Sequence, residues 1–323
     1  MSEQAEPATD APGVPIDAER LSPEQAEQVA AQREVATPTH RVVSPAMERL
    51  LYQPVPVLDQ GFVRVVDYMG DDHAIVQAAR VSYGAGTRTV RSDAGLIDYL
   101  MRHQHTSPFE MCELKLHVKL PVFVARQWIR HRTASVNEYS GRYSEIADTF
   151  YDPDPADIGR QSATNRQGSA GAVSPDVAAA ARERWRDDAA RAYEHYRSLL
   201  DAGDEAVARE IARIGLPLSH YTEWYWKVNL HNLLRFLALR MDEHAQTEIR
   251  AYATAIGSIV AAWVPLTWAS FTDHQLRSVR LSGRALETMR ERLGGEQLAF
   301  EDAGMSAGEA RDLRRALGLD PGA

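Results

Sequence analysis

The sequence predicts an α+β fold with a central, mostly antiparallel sheet flanked by long helices. Short apolar runs of period two lie in the first half, and longer runs of helical period dominate the second. The two kinds of run do not alternate in the way that a doubly wound parallel sheet requires. With 323 residues, 44% hydrophobic and 25% charged, the chain can bury one sizeable core. Its 36 Lys and Arg against 45 Asp and Glu give a net charge of −9, which opposes a sequence-independent grip on nucleic acid. The single cysteine, Cys112, excludes an internal disulfide framework and a Cys-based zinc cluster; no metal is expected, and the compartment is expected to be reducing and cytoplasmic. The N-terminus lacks a basic start followed by an apolar stretch, so no secretory signal is read there.

The first 45 residues hold six of the sixteen prolines, eight acidic residues and no aromatic side chain. Residues 1–48 are therefore expected to be a mostly disordered acidic tail, with at most a frayed helix near Pro23 to Glu34. From Gly61 the texture changes: Phe62 to Val66 reads as a strand, and Asp72 to Val81 as a helix burying Ile75, Val76 and Ala79. Ala94 to His103 reads as a short helix, and Pro108 makes His105 to Glu110 a turn. Leu114, Leu116, Val118 and Leu120 alternate with Lys115, His117 and Lys119, as in a half-buried strand. Pro121 then suits the start of a helix through Val122, Trp128 and Ile129.

Residues 152–175 read as a long loop, followed by an amphipathic helix that starts at Ser174-Pro175-Asp176 and stops at Gly203. A shorter helix is expected over Asp204 to Ile214, then a long aromatic and apolar helical region from Tyr221 to Val264. The charge-free stretch Ala251 to Thr272 is interrupted by Gly257, Ser258 and Pro265, so it reads as a buried helix and not as a membrane span. The folded domain is expected over residues 49–275. An Arg-rich helical extension follows over 276–323, with Ser306-x-x-Glu309 as a capping box.

Arg126, Arg130, Arg132 and Arg142 stand against Glu138 alone, a local charge of +3 in an acidic protein. If the helix from Pro121 continues, Gln127, Arg130 and His131 share one of its faces. The planar guanidinium fork suits phosphate, and Ser135, Asn137, Glu138 and Ser140 add hydrogen-bonding groups. On composition alone, a solvated basic face and a ligand site both remain open.

Arg130-His131-Arg132, seven residues, then Ser140 resembles the signature of the flavin-dependent thymidylate synthases. Gln127 to Arg132, Asn137 to Tyr143, Ala78-Ala-Arg-Val-Ser82 and His105 to Glu110 are similar to successive blocks of that family. Ala212-Arg213-x-x-Leu216-Pro217-Leu218, Trp226-x-Val228-Asn229, Arg240 and His244-Ala-Gln246-x-Glu248-Ile249 continue the likeness. It covers about residues 55–275 and leaves both tails outside.

The resemblance implies reductive methylation of dUMP to dTMP. In that reaction 5,10-methylenetetrahydrofolate is the carbon donor, and bound FAD, reduced by NADPH, is the hydride donor. It further implies a homotetramer with flavin grooves between subunits, which fits the absence of a Gly-x-Gly-x-x-Gly turn: Gly84-Ala-Gly86 lacks the third glycine. The positions matching the family's flavin contacts are Ser107, Arg130, His131, Arg132, Glu138, Asn229, His231 and Arg235; at Arg235 several members have an amide. Those matching the nucleotide contacts are Gln127, Arg130, Glu138, Ser140, Gly141, Arg142, Arg213 and Arg240. Arg142 and Arg213 are assigned to the phosphate, and Arg240 to the catalytic role of stabilising a deprotonated uracil ring. No cysteine nucleophile is needed, and Cys112 is read as packing. Trp224, Trp226 and Trp263 are read as core or interface. The competing readings are an NADPH-oxidising flavoprotein without methyl transfer and a non-catalytic nucleotide- or RNA-binding module. The first does not need Arg213, Arg240 and the Ser140 to Arg142 turn together; the second is opposed by the net charge, by the lack of an aromatic-rich basic sheet and by the presence of every expected catalytic position.

Overall fold

The computed structural model describes residues 14–81, 93–163, 168–293, 305–317 and 319. Ser82 and Gly84 to Gly86 lie outside them. The chain forms two compact units, residues 1–276 and 277–323.

In the larger unit, α1 (Pro23–Glu34) and α2 (Pro45–Leu50) precede β1 (Pro54–Val57) and β2 (Gly61–Met69). Then follow α3 (Asp72–Val81), α4 (Asp93–Arg102), the one-turn α5 (Ser107–Glu110), β3 (Glu113–Pro121), α6 (Val122–Trp128) and β4 (Ser135–Glu138). A small hairpin, β5 (Gly159–Gln161) and β6 (Ser169–Ala172), leads to the long α7 (Pro175–Leu200) and the short α8 (Arg209–Ala212). Next come β7 (Tyr221–Asn229), α9 (Leu230–Arg240), α10 (Thr247–Trp263) and α11 (Pro265–Phe271). The smaller unit holds α12 (Gly283–Leu293) and α13 (Ala307–Leu317), where Ser306 Oγ accepts from the Glu309 amide as the capping pattern requires. No helix among the described residues is long and apolar enough to cross a membrane.

The main sheet has the order β1-β2-β3-β7-β4, and every strand pair in it is antiparallel. The expected α+β architecture is therefore present. On one face of the sheet, Leu114, Leu116, Val118 and Leu120 stand beside Val63, Val65, Trp224, Trp226 and Val228, all buried. α6, α9 and α10 cover that face with Trp128, Phe236, Tyr252, Ile256 and Trp263. The three tryptophans read as core or interface are thus core.

Six expectations are corrected. Residues 221–229 form the strand β7 and not the start of a helix, because Thr222, Trp224, Trp226 and Val228 are buried on one side while Tyr225 and Lys227 are exposed on the other. α6 stops at Trp128, where the His131 amide turns back to the Trp128 carbonyl at 2.9 Å; Arg130 and His131 therefore leave the helix and do not share its face with Gln127. The Asp204 to Ile214 segment is broken into α8 and 3₁₀ turns, since the Val207 amide is tied back to the Leu199 carbonyl at 2.8 Å. The 152–175 loop contains the β5–β6 hairpin. Pro108 is accommodated within the single turn α5, near its start, where no amide donor is needed.

The N-terminal segment is the sixth. The expected disorder does not describe residues 14–48, which carry α1 and α2 and lie against the sheet. Arg64 Nε donates to His117 Nδ1 at 2.8 Å, and since arginine can only donate, the His117 proton sits on Nε2, which meets Glu223 Oε2 at 2.7 Å. Glu223 also accepts from Gln25 Nε2 at 2.8 Å, which clamps α1 onto the polar face of the sheet. Arg33 donates to the Leu51 carbonyl, and Val29 and Met47 are buried. These anchors supply the burial and hydrogen bonds that the composition of the segment does not advertise.

Two polar contacts fix the helical layer. Pro265 starts α11 without an amide, and Asp72 from α3 caps it, accepting from Leu266 N at 2.8 Å, Thr267 N at 3.0 Å and Thr267 Oγ1 at 2.6 Å. Tyr252 Oη donates to the Lys119 carbonyl at 2.7 Å in the space beside Gly61, where an added Cβ would lie 2.0 Å from that oxygen. Gly61→Ala is therefore expected to destabilise the fold by about 1–3 kcal/mol through overpacking, read as a lower denaturant midpoint with unchanged slope.

Candidate functional site

β3 runs directly into α6, and β7 directly into α9. Because the strands are antiparallel, the two helices fold back over the same face from opposite ends. Their C-terminal ends meet: Trp128 stacks on Phe236 with ring centroids 4.7 Å apart, and Arg240 donates to the Gln127 carbonyl at 3.3 Å. The cleft at this junction is lined by Arg130, His131, Arg132, Thr133, Arg235, Phe236, Leu239 and Arg240. It has four guanidinium groups and no carboxylate in its wall. None of the four has an ion-pair partner within 4 Å among the described residues.

His131 is wedged against Trp226 and Phe236, and its Nε2 lies 3.1 Å from Thr133 Oγ1. Burial, then the charges of Arg235 and Arg240, hold its pKa below the usual histidine value. Burial, then Arg130, lowers that of Arg240, which stays charged. Gln127 Oε1 is buried without a hydrogen-bond partner among the described residues.

A second cleft of about 470 Å³ opens around the first residues of β7 and the end of β4. It is lined by Lys119, Glu138, Gly141, Arg213, His220, Thr222 and Glu223, among others. Thr222 Oγ1 donates to Glu138 Oε1 at 2.9 Å and fixes that carboxylate. His220 Nδ1 lies 2.8 Å from the Pro217 carbonyl, so it carries the proton and leaves Nε2 as an acceptor. An added Cβ at Gly141 would stand 2.8 Å from Ile146 Cδ1 and 2.9 Å from Ile146 Cγ1, so glycine lets the loop pack this closely on Ile146, beside Arg213.

The structure divides the expected nucleotide set. Glu138, Gly141 and Arg213 share the second cleft, whereas Arg130 and Arg240 line the first, with Gln127 beneath them. Arg142 points away to Glu210 at 3.2 Å, and Ser140 Oγ receives the Arg142 amide at 3.4 Å. Of the expected flavin set, Arg130, His131, Arg132 and Arg235 stand together. Asn229 spends its side-chain oxygen on capping α9 through Asn232 N at 2.9 Å. His231 is half-buried in the first turn of α9, with burial and Arg235 lowering its pKa, and Ser107 is exposed on α5, which packs on α9. Lys119, His220 and Thr222 were not expected at a site. The alternation of residues 221–229, read as a strand, places Thr222 on the buried side that faces Glu138.

The first cleft, with four guanidinium groups and no carboxylate, is built to hold an anion, whereas the second sets Lys119 and Arg213 against Glu138 and Glu223. The family described as thymidylate synthase complementing protein matches residues 64–266. The flavin-dependent thymidylate synthase of Ruegeria pomeroyi is 55% identical over 299 residues, spanning 92% of this chain and 99% of the relative. That of Gluconobacter oxydans is 54% identical over 297 residues, 92% and 98% of the two chains. The crystal structure of a UMP/dUMP methylase, PolB from Streptomyces cacaoi bound with 5-Br UMP, matches with a TM-score of 0.62 at 37% identity, over 68% of this chain and 96% of that one. The chain belongs to the flavin-dependent thymidylate synthase family and is a methyltransferase with a flavin cofactor. The matches to relatives are longer than residues 55–275, so the likeness reaches into the terminal segments that were expected to lie outside it.

The lowered pKa of His131 gives a signed prediction. The ring is neutral at pH 7, and on acidification the unfolded chain takes the proton first, so this group removes stability as pH falls from about 6.5 toward the folded value. An anion bound among the four arginines raises that value again. NMR titration of the His131 ring is expected to show an upward shift when inorganic pyrophosphate is added.

Proposed function

We propose that this chain converts dUMP to dTMP in the cytoplasm, with 5,10-methylenetetrahydrofolate giving the carbon and tetrahydrofolate leaving. Bound FAD, reduced by NADPH, supplies the hydride that turns the transferred methylene into a methyl group. The single observation that carries this reading is the cleft in which Arg240 and three further guanidinium groups stand together without an ion-pair partner among the described residues, in a chain of this family. That donor set, without a carboxylate in its wall, fits the pyrophosphate and reduced ring of a flavin dinucleotide.

Arg130, His131, Arg132 and Arg235 hold the flavin, with Ser107, Glu138, Asn229 and His231 as its further contacts. Gln127, Arg130, Glu138, Ser140, Gly141, Arg142 and Arg213 hold the nucleotide, Arg213 and Arg142 at its phosphate. Arg240 stabilises negative charge on the uracil ring, a role suited to a group that remains cationic and cannot accept the proton. Gln127 Oε1, buried and unpaired, is the kind of acceptor that an imide N–H satisfies.

No enzyme thiol takes part. Cys112 is buried, its Sγ lies 3.5 Å from the Asp71 carbonyl, and burial with the Asp71 and Asp72 charges pushes its pKa up to about 12. The two clefts of one chain divide the nucleotide set, which supports a homotetramer that completes each site with residues from more than one subunit.

An anaerobic assay with dUMP, methylenetetrahydrofolate and NADPH tests the reading. Wild-type protein is expected to form thymidylate, and Arg240→Ala to lose at least about 100-fold in turnover, as when one preorganised charge-stabilising donor is removed, while keeping its flavin. Flavin reduction without thymidylate in the wild type would leave an NADPH oxidase.

A further inference from the structure

A third cavity, of about 370 Å³, is acidic where the first cleft is cationic and the second mixed, and it shares no lining residue with either. Phe123, Tyr151 and Trp185 form aromatic walls, Asp157, Asp188 and Glu248 supply carboxylates, and no Lys, Arg or His lines it. It lies behind the segment that walls the nucleotide cleft. There the Tyr221 amide bonds the Thr149 carbonyl and the Tyr151 amide bonds the Ser219 carbonyl, each at 2.9 Å, so Thr149 and Tyr221 line one cavity while Tyr151 and Ser219 line the other.

The rings and charges converge. Phe123 and Tyr151 are 5.7 Å apart between centroids, and Trp185 on α7 is 49% exposed, an indole face left open in a protein that buries four of its other tryptophans. Tyr151 Oη donates to Glu248 Oε1 at 3.4 Å. Asp188 is already paired with Arg191, but neither Asp157 nor Glu248 has a cationic partner within 4 Å among the described residues. Burial, and then the Glu248 and Asp157 charges, raise the Tyr151 hydroxyl well above its ordinary value, so the ring sits in their combined negative field. Glu248 belongs to the His244-Ala-Gln246-x-Glu248-Ile249 motif, to which the methylation reaction gives no task.

Aromatic faces beside uncompensated carboxylates attract a flat cation: the ring quadrupoles hold its face, and the carboxylates take its N–H donors in pairs. We propose that this cavity is a second ligand site, for a small planar organic cation of the amidinium or guanidinium type. The volume admits a small molecule and not a folded segment. The first cleft is cationic, and in the second Glu138 is held by Thr222 and Glu223 by His117 and Gln25, so such a ligand has no comparable place in either.

Calorimetric titration of the flavin-loaded protein with benzamidine, and with the neutral isostere benzamide, tests the site. Benzamidine is expected to bind saturably and benzamide at least roughly tenfold more weakly. Glu248→Gln and Asp157→Asn are each expected to weaken benzamidine roughly tenfold, and Trp185→Leu to weaken it and remove the accompanying indole fluorescence change. Asp157 lies in an exposed 3₁₀ turn, so its variant reports on binding even if Glu248→Gln loosens α10. No saturation, equal binding of benzamide, or unchanged affinity in both carboxylate variants would overturn the proposal.

Discussion

The antiparallel pairing of β3 with β7, from Glu113 opposite Asn229 to Pro121 opposite Tyr221, is the constraint on which the site depends. Each strand ends in a helix, and antiparallel direction sends α6 and α9 over one face toward each other. The core they cover, where Trp128 meets Trp224, Trp226 and Phe236, holds their C-terminal ends in contact. The negative ends of two helix dipoles therefore converge where Arg130, Arg132 and Arg240 are concentrated. A slip of one residue between the strands would turn Trp224 and Trp226 outward and dissolve that junction.

The same geometry explains how an acidic protein keeps a cationic cleft open. Elsewhere its arginines are compensated: Arg182 and Arg186 share Asp152, Arg197 has Glu145, and Arg142 has Glu210. Around Arg240 no carboxylate is placed, so the repulsion is held in check by the helix ends and by solvent until an anion arrives. On the opposite face of the sheet, Arg64, His117, Glu223 and Gln25 form a hydrogen-bonded chain that fastens α1.

Much of this was legible in the residues. The alternation of Leu114 to Leu120 marked β3, Ser174-Pro175 and Gly203 marked the limits of α7, and Pro265 marked the break before α11. The arginine cluster stood out by its local charge alone. β7 stayed hidden because Tyr221 and Tyr225 fall among its tryptophans, so its large side chains lie on both sides and blur the period of two. With it went Thr222, which orients Glu138, and the cleft residues Lys119 and His220. The end of α6 carries no Gly or Pro, and only the turn from His131 to Trp128 shows it. The anchoring of residues 14–48 rests on single polar contacts with residues as distant as Glu223, which no local pattern announces.

The central claim is that one chain presents two separate clefts, one around Arg132 and one around Arg213, for two different anions. Calorimetric titration of Arg132→Gln and Arg213→Gln with FAD and with dUMP tests it most directly. The account predicts that Arg132→Gln weakens FAD and spares dUMP, and that Arg213→Gln does the reverse. Equal weakening of both ligands by either variant, or no effect from either, would contradict it.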